Sequence, residues 1–497
     1  MMKYANRLMT RRTITSLIAL ILGLFAPGLH AFTLLGPYAP WMTYDIGYRH
    51  NGDVGGPMDI SEGYRWNVPV ITYGFDREFL EYFGQRGVDE VEKAVAILND
   101  LPRASEIDLT NSSLQVWRQN GTAAAIGLSD LKSAALATLL EQLGLKNSLQ
   151  SAWTIRDRVV ETNETNFVVI NRSFDPETLL ASPFINGEEY TYQVFPYIPR
   201  TEGVFADAVE FYASFPSVFG VEPVAGDFAS PGLFANNLSR DDLGGLKFLL
   251  SSSNRKVESL LPGIAVAAGN TNPIVDVALR PGVEKIRLVR MELNGDQFLP
   301  ITNIFTDIFI ANGLSQTQQL QRVVTQPDIL FRAHDFGLRF FTNPPAYYYK
   351  EFLLRTDASG WQNNANLNDN PAGAGPGIIK PPAQITFAKT ARYAGLGFLS
   401  LNWASFGEAP EDIVIYGGTD TVTTATLNTE ISLDAGHSMF VWTLLLQLNV
   451  NYRVDASSNL KDWTPIGNLI NVDDGLATFR YPISEEARYF RAVLDPQ

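Results

Sequence analysis

The stretch Gly55 to Leu101, GGPMDISEGYRWNVPVITYGFDREFLEYFGQRGVDEVEKAVAILNDL, organises the chain. Val68 to Phe75 is rich in β-branched residues and ends on an aromatic, the composition of a strand. Phe79 to Phe83 has room for a helical turn. From Val88 the apolar residues fall at Val88, Val91, Ala94, Val95, Leu98 and Leu101, a helical period. Asp89, Glu90 and Glu92 stand in the expected first turn, where the helix dipole favours negative charge. Pro102 ends the run. A loop, a strand and an amphipathic helix in this order are expected to frame an N-terminal α+β domain.

Downstream, Asp130 to Leu143 (DLKSAALATLLEQL) carries a stripe of Leu131, Ala135, Leu139 and Leu143. Ser129 is its expected N-cap, and Gly144 its C-terminal stop. Trp153 to Val160 and Asn166 to Asn171 read as strands, and Leu243 to Ser251 is open between helix and strand. Gly263 to Pro273 reads as a loop. After Pro273 the texture becomes β-like. Val283 to Leu293 alternates as a half-buried strand does. Pro300 to Ala311 and Gln321 to Phe331 continue in β style, and Gln384 to Phe387 and Gly397 to Trp403 read as further strands. The Asn-, Gly- and Pro-rich stretch Asp357 to Pro382 reads as a surface loop or linker. Glu411 to Gln497 holds short strands at sandwich-like spacing. The expected organisation is a signal peptide over 1–31, an α+β N-terminal domain over 32–272, a β-rich middle domain over 273–408, and an immunoglobulin- or fibronectin-like sandwich over 409–497.

The first residues read as an export signal. Lys3, Arg7, Arg11 and Arg12 form a basic head, and Ile14 to Phe25 an apolar run shorter than the ~20 residues that span a bilayer. Ala26, Pro27 and Gly28 break the run, and Ala31 is the expected last residue of the leader. The pair Arg11-Arg12 is also a feature of twin-arginine leaders, but an ordinary secretory head is preferred. Removing those four cations takes the formal charge from −15 to −19. Such a chain repels nucleic acid and anionic lipid. No later apolar run reaches membrane length. The sequence contains no cysteine, so disulfides, thiolate nucleophiles and cysteine-held metal centres are excluded.

The C-terminal segments Tyr452 to Ser457 (YRVDAS), Asn459 to Trp463 (NLKDW) and Arg488 to Val493 (RYFRAV) resemble terminal modules of many exported bacterial proteins. That likeness implies location more than activity. Gly55 to Leu101 and Pro300 to Phe331 look like a family of exported bacterial proteins to which no activity is attached. The region 66–145 also resembles matrixin-type metalloproteases, whose zinc helix has the form D-L-x-x-x-A-x-H-E-x-x-H-x-L-G-L. Asp130, Leu131, Ala135, Leu143, Gly144 and Leu145 fit that form. The chemistry does not: Ala137 and Glu141 stand where zinc histidines would, and Thr138 replaces the general-base glutamate. Zinc catalysis needs three ligands and a base. The resemblance therefore implies at most a pseudo-peptidase scaffold.

Other chemistry is sparse. His50, His334 and His437 lie far apart and in no motif, and no nucleophile elbow or phosphate-cradling loop occurs. Glu62, Asp76, Glu188 and Glu189 lie near aromatics, as in sugar sites, but no spacing picks out an acid and base pair. Asn364, Asn366, Asn368 and Asn370 alternate without the acids a calcium loop needs. Tyr347 to Tyr349 is as suited to a core as to a ligand platform. The sequence thus points to an exported, non-catalytic surface or extracellular structural or interaction protein. It needs no cofactor, and its expected partner is a cell-surface or extracellular polymer or protein. The alternatives are an extracellular polysaccharide hydrolase using paired carboxylates, and a pseudo-peptidase binding protein.

Overall fold

A computed structural model describes residues 31–43, 48, 55–161, 165–192, 222–225, 231–269 and 272–335. Beyond these it describes 337–340, 354–358, 361–362, 378–389, 391–394, 399–400, 402–409, 413–416, 430–434, 437–445, 452–457, 464–469, 476–482 and 489–494. The elements used below are, in chain order, β1 (Phe32–Gly36), β2 (Val70–Phe75), α1 (Arg77–Asn99), α2 (Leu131–Leu143), α3 (Arg240–Leu250), β3 (Lys256–Glu258), β4 (Ile264–Val266), β5 (Ala278–Arg280), β6 (Arg287–Arg290), β7 (Ile301–Ala311), β8 (Leu314–Val324), β9 (Ile329–His334), β10 (Leu354–Ala358), β11 (Ala383–Ala388) and β12 (Asn402–Ser405).

The central sheet has the order β6-β2-β9-β11-β10. Its first four strands run parallel and β10 is antiparallel to β11. Parallel strands covered on both faces read as apolar runs rather than alternations. β2 fits this, with Ile71 to Phe75 all buried, whereas β9 and β11 alternate, with Ile329, Phe331 and Ala333 and Ala383, Ile385 and Phe387 buried and half-buried residues between them. β2 comes from the expected N-terminal domain and its neighbours β6 and β9 from the expected middle domain, so these two stretches share one sheet and one core.

Helix α1 begins well before the expected Val88. Asp76 caps it, its Oδ1 accepting the Phe79 N–H at 2.7 Å. The expected turn and helix are two arms of one element, broken only at Gly84, whose φ of 61° lies outside the helical range and favours glycine. Helix α2 forms where the period placed it, but its cap is Asp130 rather than Ser129. The Asp130 carboxylate accepts the Ser133 N–H at 2.8 Å. Gly144 closes α2 with φ 106°, and a methyl group there would lie 2.5 Å from the Tyr64 carbonyl oxygen. The apolar stripe of α2 is not balanced by an exposed polar face. Every residue from Leu131 to Leu143 except Lys132 is buried, because α1, the strand 233–235 and β12 cover it from several sides. The undecided segment at 243–251 belongs to α3, a helix with a Ser239–Asp242 capping box.

A second, antiparallel sheet has the order β3-β5-β7-β8-β4. Strands β7 and β8 form a hairpin closed by Asn312 and Gly313, both at positive φ (53° and 76°), the backbone a two-residue primed turn requires. Two expectations change here. Ile264–Val266 lies in the expected loop but adds to the sheet as β4. The strand expected over 321–331 is the end of β8 and the start of β9, separated by the turn that carries Asp328. Towards the C-terminus, Glu430–Asp434, His437–Leu445 and Leu476–Pro482 form one antiparallel three-stranded sheet. Thr464–Leu469, Tyr452–Ser457 and Tyr489–Leu494 form another. The chain is thus α+β with extensive β-rich regions, and no helix among the described residues is long and apolar enough to cross a membrane.

Candidate interaction face

The residues singled out for chemistry are dispersed. On α2, Ala137 and Glu141 are buried, and so is Thr138, whose hydroxyl donates to the Ala134 and Ala135 carbonyls at 2.8 and 3.1 Å. The positions that match the zinc helix are therefore held inside the packing of α2. Glu62 closes a surface turn, accepting the Asp59 N–H. Asp76 caps α1 and receives Arg332 Nε at 2.9 Å on its second oxygen. Glu188 and Glu189 lie on a separate two-stranded hairpin. His334 is exposed at the end of β9, with Nδ1 3.5 Å from Glu78. His437 pairs with Asp434 across a strand ladder. His50, Tyr347 to Tyr349 and the Asn364 to Asn370 run lie outside the described residues. Among the described residues, no three His, Asp or Glu side chains converge on a point where a metal could sit.

Asp130, the cap of α2, is fully buried. Burial pushes its carboxyl up to about 6, against the opposing pull of Lys132 and the Ser133 hydrogen bonds. The folded protein therefore binds this proton more tightly than the unfolded chain, whose carboxyl titrates near 3.8. The associated stability is fully present below pH ~3.8 and is lost as pH rises through ~6. Asp130→Asn keeps a good cap and removes the titration. Relative to wild type, this variant is expected to gain up to about 2–3 kcal/mol in ΔG of unfolding between pH 4 and 7, read from urea unfolding at each pH.

The two sheets meet at a buried charged joint. Arg65 Nε donates to Glu258 at 2.7 Å, and its Nη atoms reach the carbonyls of Asn254 (2.6 Å), Leu249 (3.2 Å) and Arg280 (3.1 Å). Arg280 makes a two-pronged pair with Asp307, and Arg322 does the same with Asp328. Asp328 also accepts the Thr72 N–H and hydroxyl, which ties the end of β8 to β2. Burial pushes the Glu258 carboxyl up, and the Arg65 charge pulls it back down.

This joint orients the hairpin. Phe305, Asp307, Phe309, Leu320, Arg322 and Val324 point inward. The opposite side presents Thr302, Ile304, Thr306, Ile308 and Ile310, paired in register with Val323, Gln321, Gln319, Thr317 and Ser315. None of these ten side chains is charged. Ile304, Val323 and Ile308 are 60 %, 50 % and 44 % exposed. Ala265 of β4 extends the face beside Gln321, and Leu279 of β5 extends it beside Ile310. The β character of 301–311 was visible in the sequence, but which side would face solvent was not. Comparison with protein-family models, curated proteins and solved structures finds no match to this chain.

Proposed function

We propose that the chain is an exported, non-catalytic structural protein of the cell surface or extracellular space, and that it works by association through the outer face of β7 and β8. The observation that carries this reading is the absence of charge from ten consecutive outward positions of a chain with formal charge −15. Solvated sheet faces are normally charged, and an uncharged β-branched face invites a second sheet. The occupant is a second copy. Two such faces meet without bringing like charges together, although each chain is strongly acidic.

The dimensions set the strength. Strands of 11 residues at ~3.4 Å per residue, ~10 Å wide as a pair, with three short flanking strands, give about 500 Å² per copy. The total of about 1,000 Å² is the lower bound of a specific interface, so the association is weak and depends on concentration. Light scattering is expected to show mass rising above the monomer at high concentration. Ile304→Lys combined with Ile308→Lys is expected to leave a monomer at every concentration, with stability changed by no more than about 0.5 kcal/mol per exposed site. A wild-type protein that stays strictly monomeric overturns the association, and metal-dependent peptidase activity in the purified protein overturns the non-catalytic half.

The two three-stranded C-terminal sheets support an immunoglobulin- or fibronectin-like sandwich that anchors or presents the molecule. The pseudo-peptidase reading is favoured by one detail, the order β2, α1, α2 closed by a left-handed Gly144. In that reading the region is a scaffold that kept the framework of a protease and replaced its chemistry.

A further inference from the structure

Strand β8 is paired on one side only over much of its length. Against β7 it runs from Leu314 to Val324 in one unbroken register. On its other edge β4 pairs with Leu320 to Arg322 alone, and the Ala267 N–H adds a bond to the Gln319 carbonyl at 3.1 Å. Among the described residues no strand continues along that edge from Gln318 to the turn at Asn312 and Gly313. In an antiparallel ladder the N–H and C=O of one residue point to the same side, and the side alternates along the strand. The Gln319 carbonyl points towards β4, so the N–H and C=O of Thr317 and Ser315 point the same way, into solvent. Both residues are exposed.

An open edge is normally blunted by charge, proline, a bulge or shortness. Here these devices are missing. Leu314 to Gln321 (LSQTQQLQ) contains no charged residue and no proline, and the ladder with β7 has no bulge. Three other edges are guarded. β3 and β4 are only three residues long. The outer edge of β6 is closed by Asn99, whose side chain donates to the Leu288 carbonyl at 2.9 Å and accepts the Leu288 N–H at 2.7 Å.

We propose that the outer edge of β8 from Leu314 to Gln318 is a main-chain docking site, and that its occupant is the same edge of a second copy, laid antiparallel. The proposal deepens the self-association reading and rests on it for the identity of the partner. A strand that adds here must be extended, uncharged and unpaired on one side. β8 of a second copy meets all three conditions. Both strands are already ordered by their own β7, so little conformational entropy is lost on pairing. A two-fold axis through Gln316 sets Ser315 opposite the partner's Thr317, and Thr317 opposite the partner's Ser315, so the outward N–H and C=O groups satisfy one another. The contact lies beside the turn, and the two bodies extend from it in opposite directions. Pairing also joins the two uncharged outer faces, because cross-strand partners project to the same side. A face of about 500 Å² becomes one of about 1,000 Å², and two joined faces in contact bury about 2,000 Å², within the range of a specific, stable interface.

The chain has no cysteine, so a single introduced thiol reports its own surroundings. In the two-fold pair, position 316 meets itself with Cα atoms ~4.5 Å apart, whereas positions 315 and 317 each lie about 8–9 Å from their own copies, beyond disulfide reach. Gln316→Cys is therefore expected to give a disulfide-linked dimer under a mild oxidant about tenfold or more faster than Ser315→Cys or Thr317→Cys, although all three sites are exposed. Gln316 lies on the side of β8 opposite to the uncharged face, so contact through that face alone does not link it. Thr317→Pro removes an outward N–H that no ladder uses, at an edge position where proline is tolerated. Two-fold symmetry removes that donor twice, so association read by light scattering is expected to weaken about tenfold or more while the fold is kept. Should that variant fail to fold, the rate ratio of the thiol variants decides by itself. A wild-type protein that stays monomeric at every concentration overturns both the proposal and the self-association reading. A wild-type protein that associates, while Gln316→Cys links no faster than its two neighbours or folded Thr317→Pro associates as before, overturns the proposal alone and leaves the contact through the face.

Discussion

Arg280→Ala is expected to lower the stability of the folded chain by about 3–5 kcal/mol, the cost of leaving a buried partner charge uncompensated. Arg280 is 2 % exposed, and all of its donors are engaged inside. Nε and Nη2 hold Asp307 at 2.9 and 3.1 Å, and the Nη atoms also reach the carbonyls of Glu258 (2.6 Å), Asp276 (2.7 Å) and Val275 (2.8 Å). Truncation strands the Asp307 carboxylate with only the Gln318 amide, at 2.7 Å, and releases three carbonyls. The double variant Arg280→Met with Asp307→Leu removes both charges and is expected to recover a large part of the loss. Urea unfolding of the three proteins checks this. A single variant within 1 kcal/mol of wild type would show that water reaches the joint. Because the joint also positions β7, the single variant is expected to weaken association through the outer face.

Phe331→Ala is expected to cost about 3–5 kcal/mol for a different reason, the cavity left in a close-packed core. Phe331 is fully buried in the middle of the central sheet. Its ring lies 5.4 Å from Phe75, 6.2 Å from Tyr73, and 6.4 Å from both Phe79 and Phe387. These partners come from two strands and a helix, so no single element can close over the gap. Phe331→Leu keeps most of the volume and is expected to cost about half as much. Thermal and urea unfolding of both variants checks the order.

Local signals carried much of the secondary structure. The apolar period at Val88, Val91, Val95 and Leu98 marks a helix because side chains three and four apart share a face. Gly144 marks the end of α2 because its backbone angle disfavours other residues. The strand from Val70 was legible for a similar reason, but not its neighbours. A parallel strand finds its partner across a long crossover, and the pairing of Phe75 with Phe331 joins residues 256 apart. The dividing line expected near 272 ran through that sheet because composition changes along the chain while hydrogen bonds close across it. The burial of nearly the whole of α2 was hidden for a similar reason. Its polar residues Thr138, Gln142 and Glu141 are buried, which only the elements packed around them can decide.

The candidate surfaces divide along the same line. By itself the sequence determined that disulfide and thiolate chemistry is absent, that the chain is strongly acidic, that the zinc motif is not present on α2, and that 301–311 has the composition of a strand. These depend on residue identity and on spacing along one strand or helix. Tertiary structure alone decided that the uncharged side of that strand faces solvent, because Asp307 and Arg322 are drawn inward by Arg280 and Asp328. It alone also left the outer edge of β8 open from Leu314 to Gln318, because β4 pairs only with Leu320 to Arg322. The physical reason is the same in both cases. The environment of a charge or of a strand edge is set by what is packed around it, and in this fold those neighbours come from distant parts of the chain.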